Sequence, residues 1–252
     1  MMENITKPVE HITKISVPFD DVFTTVLVID VNGKTVLFDS ATTKYDVDKY
    51  IVPALDKLGV TPDILVSSHH HADHMGGEQF LAIIYPGATR AKYPKLCEDM
   101  SQKRALSDGN ILFSAVEIIH LPGHCSDAIA LFDKRTKTLV SADCLQLCGV
   151  GSYGTGLENA AEYLESIRRL REMDIENIIT SHEYVPLGSC AFGRDAVEQY
   201  LDECEAYVFE LAAFIMAHRE LSFDEISELY NSENPHLPPI SAYSFRNIAE
   251  NI

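Results

Sequence analysis

The chain has 252 residues, of which 46% are apolar and 23% are charged, and its formal net charge is −18. A chain of this length can bury a sizeable core without disulfides, and it contains no apolar run of the roughly 18 residues that span a membrane. The excess of 38 acidic over 20 basic residues repels phosphate backbones and anionic lipid surfaces. Composition therefore predicts a soluble globular protein with no nucleic-acid partner and no membrane partner.

The N-terminal residues and the cysteines favour the cytoplasm. The opening MMENITKPVEHITKI contains acidic residues and lacks the apolar stretch of a signal peptide. None of the six cysteines stands in a C-x-x-C spacing, and a chain of this size folds without disulfides. We therefore expect all six thiols to be reduced, and the sequence leaves their individual roles open. The cysteines are Cys97, Cys125, Cys144, Cys148, Cys190 and Cys204.

The first half of the chain predicts a hairpin, a helix and a buried strand. Residues 22 to 40 contain two β-branched runs around Asn32-Gly33, a dipeptide that favours a type I′ turn. Apolar residues recur at helical spacing from Val47 to Leu58, and Gly59 follows as a C-cap. Residues 63 to 68, DILVSS, are a short apolar run that is typical of a buried strand.

The second half continues the alternation of strands and helices. Strands are predicted over residues 115–120, 128–133, 138–142 and 177–180, and helices over 157–173, 197–215 and 223–230. No linker, low-complexity block or repeat divides the chain. We therefore predict an α/β fold of one domain over residues 1–252, with two β layers, helices outside them and C-terminal helices from about residue 193.

Candidate metal ligands are concentrated where predicted strands end. His69-His70-His71-Ala72-Asp73-His74 follows an apolar strand and precedes a glycine pair that permits a tight turn. Since side chains alternate along extended backbone, His69 and His71 are expected to point one way and His70 the other. His124, Asp143 and His182 follow further apolar strands. A lone histidine is usually structural, but this concentration favours a metal site.

These residues resemble the metallo-β-lactamase superfamily, whose pattern is H-x-H-x-D-H-x-G-G, then P-G-H, then an Asp and finally a His. The resemblance runs from about Val22 to His182 and includes Asp108-Gly109. It implies a four-layer αββα sandwich with two metal ions. The implied ligands are His69, His71 and His124 for one metal, Asp73, His74 and His182 for the other, and Asp143 as the bridge. Zinc is the first expectation, and iron or manganese also suits such nitrogen and oxygen ligands.

The implied chemistry is hydrolysis of an acyl substrate. Five neutral imidazoles and two carboxylates would leave a net positive site around two dications, which favours an anionic small-molecule substrate and a metal-bridging hydroxide as the nucleophile. Asp73 is the candidate catalytic residue, since a carboxylate there can orient the nucleophile or pass on a proton. Tyr153 and Tyr184 are candidate hydrogen-bond donors to the substrate, with packing or loop anchoring as the equal alternative.

The superfamily contains proteins with several activities, and a few residues of this chain indicate which of these activities fits best. Residues 142–145 and Cys148-Gly149 are similar to segments of the glyoxalase II thioesterases, although Val150 replaces their basic residue. A quorum-quenching lactonase is the alternative, but Gln146 stands where such enzymes have a tyrosine. A di-iron redox protein is the alternative of another class, and His71 stands where those proteins have a carboxylate. The sequence leaves the physiological substrate and the oligomeric state open.

Overall fold

The computed structural model of the chain describes residues 4–95 and 100–252. The chain divides into two compact units. Unit 1 comprises Met1–His120 and Asp127–Val140, and unit 2 comprises Leu121–Ser126 and Ser141–Ile252. The assignment of the whole chain to one domain stays a prediction.

Unit 1 contains a seven-stranded sheet in which the strands follow one another in chain order. Strands one to four form antiparallel pairs with their neighbours, and strands four to seven form parallel pairs. The predicted hairpin is confirmed, because Asn32 and Gly33 have φ values of 56° and 77°, as a type I′ turn requires. The strands are β1 Ile5–Val9, β2 Ile12–Phe19, β3 Val22–Val31, β4 Lys34–Phe38, β5 Ile64–Ser67, β6 Thr89–Lys92 and β7 Arg104–Ala105.

Helices cover one face of this sheet. The predicted helix at residues 47–58 is confirmed, and Gly59 ends it with a φ of 68°. Its first part is π-helical, next to Pro53, which has no N–H to donate to the helical ladder. Ile51 and Leu55 pack against strand residues such as Leu37 in the core of the unit. The helices are α1 Lys44–Asp46, a π-helical turn Val47–Ile51, α2 Val52–Leu58, α3 Ala72–Met75 and α4 Glu78–Ile84.

A second, antiparallel sheet contains the other strands of unit 1. The strands predicted at residues 115–120, 128–133 and 138–142 are confirmed within one residue. Asp108-Gly109 forms a turn before them, in which Asp108 Oδ1 accepts from the His120 backbone N–H at 2.8 Å and Gly109 has a φ of 74°. The paired strands are β8 Ile111–Leu112, β9 Val116–His120, β10 Ile129–Asp133 and β11 Thr138–Ala142, whose last two residues lie in unit 2.

Unit 2 contains short strand pairs and four helices. The helices predicted around residues 157–173, 197–215 and 223–230 and the strand at 177–180 are confirmed, while α8 was not predicted. Among the described residues, no helix has both the length and the apolar character needed to cross a membrane. The elements are β12 Gly149–Val150, β13 Tyr153–Gly154, α5 Ala160–Arg171, β14 Asn177–Thr180, β15 Cys190–Phe192, α6 Arg194–Ala217, α7 Phe223–Glu233 and α8 Ala242–Asn251. The predicted α/β class is confirmed, because the chain contains two larger sheets together with helices.

Candidate metal centre

The histidine motif of unit 1 lies between the end of β5 and the short helix α3. Two glycines follow this helix, and the backbone of residues 40–42 lies so close to them that no side chain would fit. A Cβ on Gly76 would lie 2.0 Å from the Thr42 carbonyl oxygen, and one on Gly77 would lie 2.1 Å from the Ser40 carbonyl oxygen. The Ser40 backbone N–H also donates to the His74 carbonyl at 2.8 Å. The glycine pair thus allows this close approach, which fixes the course of the motif.

Four of the predicted ligands lie together in unit 1. The ring centroid of His69 lies 4.6 Å from that of His71 and 4.2 Å from that of His74. Asp73 Oδ2 lies 3.1 Å from His74 Nε2. In each of these three pairs the ligating atoms are within 4.8 Å of each other. Because zinc binds nitrogen and oxygen ligands at about 2.0–2.2 Å, neighbouring donors at this spacing can share one cation.

A buried carboxylate orients two of these imidazoles. Asp39 Oδ2 lies 2.8 Å from His74 Nδ1 and accepts from the Ser68 hydroxyl at 2.9 Å. The same hydroxyl lies 2.9 Å from His69 Nδ1, and because its only proton goes to Asp39, it accepts from the imidazole N–H. Both rings therefore carry a proton on Nδ1 and a lone pair on Nε2, the arrangement found in metal-ligating histidines.

Sequence reasoning missed Asp39 and Ser68. Burial raises the pKa of Asp39, although the contacts with His74 and Ser68 oppose the shift. Its φ of 67° is rare for a residue other than glycine. A signal did exist: Asp39 directly follows β4, and the parallel neighbour of β4 is β5, which precedes the histidine motif. Polar residues after adjacent parallel strands lie at the same sheet edge.

Unit 2 brings together the other three predicted ligands, all of them buried. Asp143 Oδ2 lies 3.8 Å from His124 Nε2, and Asp143 Oδ1 lies 3.5 Å from His182 Nε2. Each carboxylate oxygen thus faces a different imidazole, which is the arrangement that a bridging ligand needs. Ala142, the residue before Asp143, has a φ of 47°, a strained backbone conformation of the kind that clusters at functional sites.

The loop at His124 is held by backbone contacts within unit 2. His124 Nδ1 donates to the Gly156 carbonyl at 2.6 Å, which again leaves the lone pair on Nε2. Gln146 holds Gly156 in place, since its amide oxygen accepts from the Gly156 N–H at 2.8 Å. Gly123 has a φ of 135°, and a Cβ there would lie 2.4 Å from the Tyr163 Cα. The glycine of the P-G-H motif is therefore required by space as well as by conformation.

The two tyrosines predicted to contact substrate lie in different surroundings. Tyr184 is buried, and its ring packs edge-on against the His182 ring at a centroid distance of 5.5 Å. Tyr153 is 40% exposed on β13. Tyr184 thus helps to place a predicted ligand, and a role in substrate binding stays a prediction for both residues.

The cysteines beside the predicted ligands differ in their contacts. Cys125 is buried, and its Sγ lies within 4.8 Å of a ring nitrogen of His124, which is possible because residues 121–126 do not form a strand. Cys144 is buried next to Asp143. Burial raises the pKa of Cys148 to about 12, so this thiol stays protonated at neutral pH. Cys97 lies outside the described residues.

Comparisons with known proteins agree with the motif and with the fold. The sequence model of the metallo-β-lactamase superfamily matches residues 19–100. A hydroxyacylglutathione hydrolase from Chelativorans sp. (strain BNC1) is 29% identical over 144 residues, which are 54% of each protein. One from Gloeobacter violaceus is 32% identical over 149 residues, which are 57% of this chain and 58% of that protein. The chain thus spans about half the length of the curated relatives it matches.

Solved structures resemble the chain over most of its length. A metallo-β-lactamase family protein from Thermus thermophilus gives a TM-score of 0.69 at 17% identity and covers 96% of this chain and 92% of its own. A metallo-β-lactamase from Erythrobacter litoralis gives 0.64 at 20% identity and covers 82% of this chain and 98% of its own. At these identities the likeness establishes the fold alone. The family match thus covers residues 19–100, which include the histidine motif, and the solved structures show that the chain has the metallo-β-lactamase fold.

Proposed function

We propose that the chain is a dinuclear metal-dependent hydrolase that cleaves acyl thioesters. The observation that carries the proposal is Asp143, whose two carboxylate oxygens each face the Nε2 of a different buried histidine. A residue that served only one cation would not need both oxygens in this position. The remaining donors of the superfamily pattern are present, so we propose seven ligands: His69, His71, Asp73, His74, His124, Asp143 and His182.

The donor set fits two divalent cations. Neutral imidazoles and carboxylates suit zinc, and they also accept iron or manganese. Five neutral imidazoles and two carboxylates contribute a charge of −2, so two dications give the centre a net charge of +2. This charge attracts an anionic substrate, in contrast to the acidic character of the chain as a whole. When bound, two such cations lower the pKa of a shared water towards roughly 7 and polarise an acyl oxygen.

The chain's own residues then orient the reaction. We propose that Asp73 holds a proton at its carboxylate oxygen and passes it to the leaving group, because a carboxylate beside the nucleophile can accept and donate in turn. His69 and His74 are held by Ser68 and Asp39 with Nε2 as the ligating atom. This fixed arrangement means that the ligands need not reorganise during turnover.

The choice of a thioester is supported by the names of the relatives and by one departure from the lactonase pattern, while a departure from the glyoxalase II pattern bears on the carrier. The curated relatives are named hydroxyacylglutathione hydrolases, which act on a thioester. Gln146, at the position of the lactonase tyrosine, is buried and its amide oxygen accepts from the Gly156 N–H, so it is not placed to assist a lactone carbonyl. Val150 is buried where glyoxalase II carries a basic residue, which argues for a carrier other than glutathione.

Metal content and hydrolysis measured on the same samples test the proposal. We expect about two metal ions per chain, turnover of acyl thioesters rather than lactones or β-lactams, and loss of both metal and turnover in His71→Ala and Asp143→Ala. His236→Ala is the matched control, because His236 is an exposed histidine outside the motif. Retained turnover in His71→Ala at normal metal content, or full occupancy without hydrolysis of any substrate, would refute the proposal.

A further inference from the structure

A buried ion pair lies beside the histidine motif of unit 1. Lys92, the last residue of β6, is 2% exposed, and Asp127, just before β10, is 1% exposed. Lys92 Nζ lies 3.2 Å from Asp127 Oδ2. Removing two charges from water is costly, and apolar residues of similar size often replace a buried ion pair without loss of stability. Stability alone is therefore a weak explanation for this pair.

The second oxygen of Asp127 contacts the residue between two proposed ligands. Asp127 Oδ1 lies 2.9 Å from His70 Nδ1. A carboxylate at this distance is an acceptor, so the proton is on His70 Nδ1. Lys95 Nζ, 3.3 Å from the same nitrogen, then acts as a neighbouring charge and not as a hydrogen-bond donor. Burial opposes ionisation of Asp127, but His70 and Lys92 outweigh it and hold its pKa below the ordinary value.

Two contacts tie the start of β10 to the ligand segment. The Ile129 backbone N–H donates to the Ser68 carbonyl at 3.0 Å, and Asp127, two residues earlier, holds His70. These contacts fall on either side of His69. Residues 68–71 belong to no helix or strand, so contacts of this kind determine their course. The His70 ring also lies 4.9 Å from the His71 ring, which places the anchored residue against the next ligand.

We propose that Lys92 and Asp127 are positioning residues that act through His70 to fix the ligands His69 and His71. Lys92 keeps the Asp127 carboxylate charged and in place, Asp127 fixes the His70 ring, and the backbone on both sides of His70 is held as a result. This inference rests on the proposed metal-binding function. It assigns a role to a histidine that is not a ligand and to an ion pair that the reaction itself does not use.

The test replaces the buried pair by apolar residues of similar size, as Lys92→Met with Asp127→Leu. Zinc affinity is measured by competition with a chromophoric chelator, ligand geometry by the absorption spectrum of the cobalt-substituted protein, and stability by urea unfolding of the metal-free protein. We expect zinc affinity to fall by about 10-fold to 100-fold, the usual range for partners that orient ligands, with an altered cobalt spectrum. The urea midpoint should stay close to that of the wild type.

Asp133 provides the matched control, because it is as buried as Asp127 and lies at the other end of β10. Its carboxylate binds Arg135 at 2.9 Å and 2.6 Å and contacts no proposed ligand. Asp133→Leu with Arg135→Met should leave zinc affinity and the cobalt spectrum unchanged. His70→Ala keeps the buried pair and should reproduce the loss of affinity, and combining it with the double variant should add little, since all three changes break the same linkage.

Wild-type zinc affinity and an unchanged cobalt spectrum in both the double variant and His70→Ala would overturn the inference while leaving the proposed function intact. If the double variant fails to fold, His70→Ala decides alone, because it leaves the buried ion pair in place. A wild-type chain that binds no zinc would instead overturn the proposed function, and this inference with it.

Discussion

The variant Asp39→Asn tests whether the orientation of a ligand matters for metal binding, because it keeps all seven proposed ligands and changes only a residue that orients His74. The carboxylate accepts three hydrogen bonds: from the Ser68 backbone N–H at 2.7 Å, from the Ser68 hydroxyl at 2.9 Å and from His74 Nδ1 at 2.8 Å. Asparagine has a similar shape but only one acceptor oxygen. It can therefore satisfy the backbone N–H on one side, or the hydroxyl and His74 on the other side, but not all three donors.

These two placements differ in their effect on metal binding. With the amide oxygen towards the Ser68 backbone, His74 must accept at Nδ1, so its proton moves to Nε2 and blocks the ligating atom. With the oxygen towards His74, the ligand stays competent, but one hydrogen bond to a charged acceptor is lost at a cost of about 1.5–3 kcal/mol. Metal binding selects the second placement. Zinc affinity should fall about 10-fold to 100-fold, which is about 1.4–2.8 kcal/mol and agrees with that cost.

Chelator competition measures the affinity, and urea unfolding of the metal-free protein measures the stability. The metal-free variant should be nearly as stable as the wild type, because it can adopt the first placement and no longer buries a charge. Ser40→Ala is the matched control, since the Ser40 hydroxyl donates to the His74 carbonyl at 2.9 Å and not to the ring. Wild-type zinc affinity in Asp39→Asn would refute the tautomer reasoning.

Two further predictions concern single positions. Gly123→Ala should lower the free energy of unfolding by about 2 kcal/mol or more, because its Cβ would lie 2.4 Å from the Tyr163 Cα and its φ is positive. Gly87→Ala is the control and should be tolerated, because a Cβ there would have no atom within 4 Å. Equal melting temperatures for the two variants would contradict the prediction for Gly123. Glu78→Gln should cost about 2 kcal/mol at pH 7, since the buried Glu78 carboxylate accepts charged hydrogen bonds from two basic groups. Burial opposes ionisation, but these groups hold the pKa of Glu78 below its ordinary value, so the difference should disappear as the pH falls through that pKa. Glu165→Gln, at an exposed pair, should change little at any pH in the same urea titrations.

The sequence alone predicted seven of the fifteen described strands, the helices around residues 47–58, 157–173, 197–215 and 223–230, and the seven candidate ligands. Local signals carried these predictions: Asn32-Gly33 marks a hairpin because both residues must take positive φ, and Gly59 ends a helix for the same reason. Candidate ligands stood out because histidines and aspartates directly follow apolar strands, and the assignment of all seven rests on the resemblance to the superfamily pattern. Many of the elements that were missed are only two to four residues long, such as β7, β8 and β12, and so few positions show no hydrophobic period.

The tertiary structure decided which polar residues hold the ligands in place. Asp39, Gln146 and Asp127 lie 35, 22 and 57 positions from the histidines that they contact, so no local pattern links each to its partner. The tautomers of His74 and His70 follow from the two carboxylate contacts, because the acceptor at Nδ1 determines which nitrogen keeps the lone pair. The local sequence thus determines the residue types of the candidate ligands and their order along the chain. Their orientation depends on strand pairing and loop packing, which bring distant residues together.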